Sequence, residues 1–429
     1  MKIIYRLIII YITTLFFNVE VKAQTYNFNP DWRFIRENIK GAENPSFNDS
    51  SWKQVSAPHT YNDVDTFDDF HDEGHVGERD QWGGKTWYRK SFEAPKSWKN
   101  QQIIIEFEAV RQVAELYING EYVGKGENGF VPFGFDLTSK IKIGSKNLIA
   151  LRVDNEFIQD EKGKHKWSTF EGGARFPWIN PHWHPAHGGI YRNVKLHILP
   201  AVHLTLPLYS SLQTTGTYTY AIDASRKQAT IGVEPQIKNS GNKKVNLTVI
   251  ASVIDMEGNE VLTINKDITL ESGATAAPQL RGSLKSPELW EPKHPYVYKV
   301  ITKVFDGKKL LHQGEEPLGV RWLKWNPYTG AYINDRYIKF QVWGHKPTDE
   351  WPGMGAAQPD WLRHFTLSYI PKAEGNFIRW GHCAGSPAEV AMGDKYGFVT
   401  LMPGVSGESQ DEGETWDIRI KSFKDMIVY

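Results

Sequence analysis

From Tyr337 to Met402 the chain alternates between the periodicity of a strand and that of a helix. Tyr337 to Trp343 is an aromatic and β-branched run suited to a buried strand. Pro359 to Ala373 then carries Trp361, Leu362, Phe365, Leu367 and Ile370 at helical spacing. Gly375-Asn376 punctuates, and Phe377 to Trp380 is a second short strand. Ser386-Pro387 opens another helix, with an N-cap and a proline at its first position. It ends near Gly397, and Phe398 to Met402 makes a third strand. A further helix is predicted from Trp416 to Tyr429, with Trp416, Ile420, Phe423 and Ile427 on one face. Strands alternating with helices imply a parallel sheet, in which chemistry gathers beyond the carboxyl ends of the strands.

Those ends are polar and aromatic. Gly344-His345-Lys346 follows the first strand, Arg379-Trp380-Gly381-His382 the second, and Pro403 to Glu408 the third. Aromatic faces stack on pyranose rings, and charged donors orient hydroxyls or a carboxylate. The candidate substrate-binding residues are therefore His345, Arg379, Trp380, His382, Trp343, Asp349 and Glu350, to which the family resemblance described below adds His184 of an earlier loop.

The chain before this stretch is all β. Between Gln24 and Pro200, short strands are separated by Gly, Asn and Pro turns, as in a jelly roll. Val113 to Ile118 alternates with period two, and Asn119-Gly120 is a favoured type I′ hairpin turn. From Ala201 to Gly314, strands at 230–238, 244–255, 261–270 and 296–305 are spaced by turn residues, as in an immunoglobulin-like sandwich. Two clusters invite metal. His182, His184 and His187, with His165 upstream, sit between prolines that deny them helical presentation, so they read as a substrate-rim loop or structural histidines, with metal the alternative. Asp63, Asp65, Asp68, Asp69, Asp72 and Glu73 lack the glycine of a calcium loop and read as a solvated loop, with a structural cation the alternative. No cofactor is expected.

Residues 1–23 read as a signal peptide, with an uncleaved anchor the alternative. Lys2 and Arg6 precede an apolar run, Leu7 to Phe17, that is too short to span a bilayer, and Val21-Lys22-Ala23 fits a cleavage site. The expectation is export to the periplasm or the medium of a bacterium. Cys383 is the only cysteine, so no disulfide forms within the chain, and it reads as a packing residue rather than a nucleophile. Lys plus Arg total 50 and Asp plus Glu total 50, so no net field draws the protein to nucleic acid or anionic lipid. Nothing in the sequence fixes an oligomeric state.

Several segments, in order, resemble glycoside hydrolase family 2, the β-galactosidase and β-glucuronidase group. They are Trp87 to Lys90, Ala114 to Gly124, Pro132-Phe133 with Asp136, Gly188 to Arg192, Pro287 to Pro292 and Gly319-Val320-Arg321. His345 matches the histidine ending the family's first barrel strand, and Arg379 with His382 matches the Arg-x-x-His of its second. Trp343 stands where an asparagine is usual, and Pro403 near a usual acidic residue. The resemblance implies a multidomain fold: a jelly-roll sugar-binding domain (24–200), an immunoglobulin-like sandwich (201–314), then the first three βα units of a TIM (β/α)8 barrel (315–429). It implies a retaining glycosidase acting on terminal β-linked sugars, β-galactosides first, with β-glucuronidase-like specificity or a non-catalytic carbohydrate-binding protein as alternatives. The family's two catalytic glutamates follow the fourth and seventh barrel strands. The expectation is therefore that both lie beyond Tyr429 and that this chain alone does not turn over.

Overall fold

A computed structural model describes residues 23–61, 84–156, 188–346, 351, 353–381, 383–402 and 413–429. The first layer pair is a sandwich of antiparallel sheets. One has four strands, in the order Gln24–Asn27, Val194–Leu199, Gln102–Phe107, Phe133–Asp136. The other has six, in the order Lys53–Val55, Trp32–Ile35, Lys85–Ala94, Ser145–Asp154, Val113–Ile118, Glu121–Gly126. Inward positions supply one core that includes Trp32, Tyr88, Ile105, Phe107, Leu116 and Leu151. Burying each such side chain contributes roughly 1.5–3 kcal/mol. The predicted hairpin is present: Asn119 and Gly120 both take positive φ, 52° and 89°, between paired strands.

The second sandwich packs three strands, Thr217–Ile222, Gln228–Pro235 and Leu280–Lys285, against four, ordered Glu260–Leu270, Val245–Ile254, Tyr298–Asp306, Lys309–Leu318. Its core is aliphatic, with Ile231, Val233, Val249, Val253 and Val300 fully buried.

Next comes a three-stranded antiparallel sheet, Leu323–Asn326, Gly330–Ile333 and Arg336–Ile338, whose second turn is Asn334-Asp335, again at positive φ. The expected strand from Tyr337 to Trp343 is in fact two. Tyr337 closes this hairpin, and a separate strand, Val342–His345, begins the parallel sheet. The side chain of Asn376 sits at the break, donating to Lys339 O and accepting from Gln341 N, so the backbone leaves one sheet before joining the other.

The parallel sheet holds Val342–His345, Phe377–Trp380 and Val399–Leu401, in that order. Helices Asp360–Leu367 and Tyr369–Lys372 fill the first crossover, the expected single helix breaking at Ser368 three residues before Pro371. Helix Pro387–Tyr396 fills the second crossover. It ends at Gly397, whose φ is +79° and where a Cβ would lie 2.3 Å from Pro292 O of the second sandwich. Only glycine meets both conditions. The last helix, Gly413–Val428, buries a different stripe from the expected one. Ile418, Ser422 and Asp425 face inward, while Ile427 is 76% exposed. The reason is polar: Asp425 Oδ1 accepts the Ser210 backbone N–H at 2.7 Å, drawing that face onto the short helix Tyr209–Leu212.

Candidate functional site

The pairing register decides which side chains share a face of the parallel sheet. Val342, Phe377 and Val399 align, as do Trp343 with Ile378 and Thr400, Gly344 with Arg379 and Leu401, and His345 with Trp380. Ile378 and Trp380 pack with Leu367, Ile370 and Phe398, so their side of the sheet carries the helices. The other side presents Val342, Gly344, Phe377, Arg379, Val399 and Leu401, several of them exposed.

This separates the predicted site residues. Arg379 alone among the described candidates lies on the open face near the carboxyl ends, beside Gly344, and is exposed. Trp380 is fully buried against the helices, its ring stacked beneath Gly385. Trp343 shares the helix-bearing face at the sheet edge and is 50% exposed, so it too points away from the mouth. His345 was expected to meet substrate and instead turns inward. Its ring is 8% exposed and lies edge-on to Trp380 at 5.5 Å. Strand parity explains all three placements, because each residue sits one position away from the open face. His382, Asp349, Glu350 and His184 lie outside the described residues, as do the His165 to His187 cluster and the acidic run from Asp63 to Glu73. Among the described residues no cluster of His, Cys, Asp and Glu is arranged to hold a metal.

Beneath the rim is a buried charge network. Glu389 Oε1 accepts from Arg363 Nη1 at 3.0 Å and lies 3.1 Å from His345 Nε2, and Oε2 accepts from Ser386 N at 2.6 Å. Ser386 Oγ accepts in return from Glu389 N, completing a capping box. Burial alone would raise the Glu389 carboxyl, but the Arg363 guanidinium and the His345 contact outweigh it and hold the group well below the usual carboxylate range. Sequence reading found the Ser386 cap and missed its partner. The Ser-x-x-Glu spacing was the available signal.

The first sandwich reaches the same end of the sheet. Arg192, 2% exposed, donates from Nη1 to Phe130 O at 2.8 Å and from Nη2 to Ala384 O at 3.0 Å. Tyr191 Oη donates to Gly129 O, and Cys383 packs on Phe130 as a buried residue. Asn193 Nδ2 donates to Asp360 at the start of the first crossover helix. The segment after the second parallel strand is therefore set by the first domain as much as by its own sheet.

Comparison with known proteins fits this geometry. Residues 50–200 match the description "Glycosyl hydrolases family 2, sugar binding domain", and residues 213–321 match "Glycosyl hydrolases family 2". A β-glucuronidase of Formosa agariphila is 51% identical over 405 residues, covering 94% of this chain and 40% of that protein. The β-galactosidase BoGH2A of Bacteroides ovatus is 28% identical over 375 residues, covering 87% of this chain and 40% of that enzyme. A solved structure described as a β-glucuronidase from glycoside hydrolase family 2 superposes with a TM-score of 0.89 at 49% identity, over 95% of this chain and 42% of that one. The chain thus spans about two fifths of the length of these relatives.

Proposed function

The chain belongs to glycosyl hydrolases family 2, and from that premise we propose that it forms a sugar-orienting wall of a retaining glycosidase acting on terminal β-linked uronic acids. The observation that carries this reading is the 51% identity to a β-glucuronidase; Arg379, which neutral-sugar members of the family share, is consistent with it. The Arg379 guanidinium stands on the open face of the parallel sheet, beside a glycine, with no ion pair among the described residues. A planar fork of donors matches a carboxylate bidentately, which a uronate supplies and a galactoside does not. The sequence alone put β-galactosides first. The 51% identity to a β-glucuronidase, against 28% to a β-galactosidase, moves the proposal to the acidic sugar.

In this reading the three parallel strands open a (β/α)8 barrel. Arg379 orients the carboxylate of the terminal sugar, and His345 acts from behind the rim by fixing the first strand's end. The displacement itself requires two carboxylates about 5–5.5 Å apart, which belong to other strands of the mouth. The basic and apolar start of the chain supports export to the periplasm or beyond.

Titration calorimetry of the purified protein with glucuronic acid and with galactose tests the assignment. Glucuronate is expected to bind more tightly, and Arg379→Ala to weaken it at least tenfold while leaving galactose unchanged. Equal affinity for the two sugars, or no effect of Arg379→Ala, would overturn it.

A further inference from the structure

A second cleft, of about 470 Å³, opens where the second sandwich meets the parallel layer. Its size falls within the roughly 300–1,000 Å³ of small-ligand sites. One wall is an aromatic ledge on the strand Thr217–Ile222. Tyr220 lies opposite Gly232 in the register, and its ring occupies the space a Cβ there would need, coming within 2.2 Å of that position. Its hydroxyl donates to Glu234 at 2.8 Å, which fixes the ring's outer end. Tyr218 stacks on it, with centroids 5.0 Å apart and planes 27° from parallel, and is 63% exposed. Tyr220 is thus fixed before a ligand arrives, and the exposed Tyr218 ring extends it as an aromatic surface on the same side of the strand.

The facing wall supplies polar groups. Arg321 lies over the Trp290 ring, 5.0 Å from its centroid, and is exposed. Among the described residues its guanidinium makes no hydrogen bond or ion pair, although it lines a cleft that Asp394 also lines. Gly319 forms the floor, where a Cβ would come 3.2 Å from Arg321 Nη1. Trp290 is itself anchored, donating from Nε1 to Asp394 O at 2.8 Å. The guanidinium is therefore placed over the Trp290 ring, close enough to Asp394 for its charge to pull that carboxyl down against burial.

We propose that this cleft is a second glycan-binding site, distant from the barrel mouth, that takes a uronic-acid-containing oligosaccharide. Tyr218 and Tyr220 stack a pyranose ring, Arg321 receives the uronate carboxylate, and Asp394 accepts ring hydroxyls. The choice of an acidic glycan rests on the reading of Arg379 given above, whereas the existence of the site rests on the cleft alone. A site of this kind holds a polysaccharide chain on the protein while its end is processed elsewhere.

Calorimetry of the 429-residue chain with a hyaluronan tetrasaccharide, and with cellotetraose as the neutral control, tests it. Arg379→Ala serves as the background that removes the mouth. On that background the acidic tetrasaccharide is expected still to bind, and Tyr218→Ala or Arg321→Gln to weaken it at least tenfold. Tyr218→Ala removes an exposed ring and leaves the fold intact, so its effect is not confounded by unfolding. Unchanged affinity in both variants would overturn the site and assign the cleft to joining the two layers. Equal binding of cellotetraose would overturn the acidic glycan. Loss of all binding in Arg379→Ala alone would likewise remove the second site while supporting the first.

Discussion

His345 Nε2 lies 3.1 Å from Glu389 Oε1, joining the end of the first parallel strand to the start of the helix four elements later. The same oxygen accepts from Arg363, so the strand and one helix of each crossover meet at one buried carboxylate. A buried pair is costly to break because the remaining charge has no water to turn to.

Glu389→Gln is therefore expected to destabilise the protein by about 3–5 kcal/mol in urea unfolding, leaving Arg363 uncompensated. The pH dependence follows from the depressed carboxyl. Its stabilisation is present above the unfolded value near 4.5 and is lost as pH falls below that toward the folded value. The variant is expected to lose that acid-side decline.

Arg192→Lys is expected to cost on the order of 2 kcal/mol, because a single ammonium on a shorter stem does not reproduce the two separated nitrogens of the planar fork that reach Phe130 O and Ala384 O. Amide exchange should then accelerate in Cys383 to Ser386 before it does in the jelly-roll strands.

His203 and His312 face each other at a centroid distance of 6.4 Å, and His312 Nδ1 accepts the Leu204 backbone N–H. Burial pushes both down to about 4, and the neighbouring His203 further opposes protonation of His312. A histidine with a lowered folded value contributes stability that is complete above 6.5 and lost as pH falls from there toward 4. Thermal midpoints are expected to drop across that window, and less steeply in His203→Gln. An unchanged profile in that variant would disprove the assignment.

Glu316 behaves in the opposite sense. Burial and the neighbouring Glu315 raise it to about 7. Its contribution is full below 4.5 and declines as pH rises through 7. Glu316→Gln is expected to stabilise the protein at pH 8 by on the order of 2 kcal/mol and to have little effect at pH 4.5, read by chemical denaturation.

The sandwiches were legible because their signals are local. Asn119-Gly120 is a pair that takes up positive φ at little cost and so marks a tight turn, and period-two runs such as Val113 to Ile118 declare one buried face. The parallel layer was legible as a series of elements but not as a site. Tyr337 to Trp343 carries one unbroken hydrophobic pattern, yet Asn376, more than thirty residues away, divides it. His345, Trp380 and Trp343 were placed at the mouth on proximity in sequence, whereas strand parity assigns them to the helix-bearing face. Parity is set by pairing partners, which a single run of residues does not specify. The last helix misled for a similar reason: its apolar stripe was the obvious one to bury, and Asp425 drew in another.

Gly397 gives the contact between Pro292 and the parallel layer a consequence for motion. With backbone against backbone there, no side chain intervenes that could shift rotamer and let the two bodies slide. Any displacement of the second sandwich must be carried directly into the third strand that follows. The second sandwich and the parallel layer thus meet at this point with no side chain to cushion them.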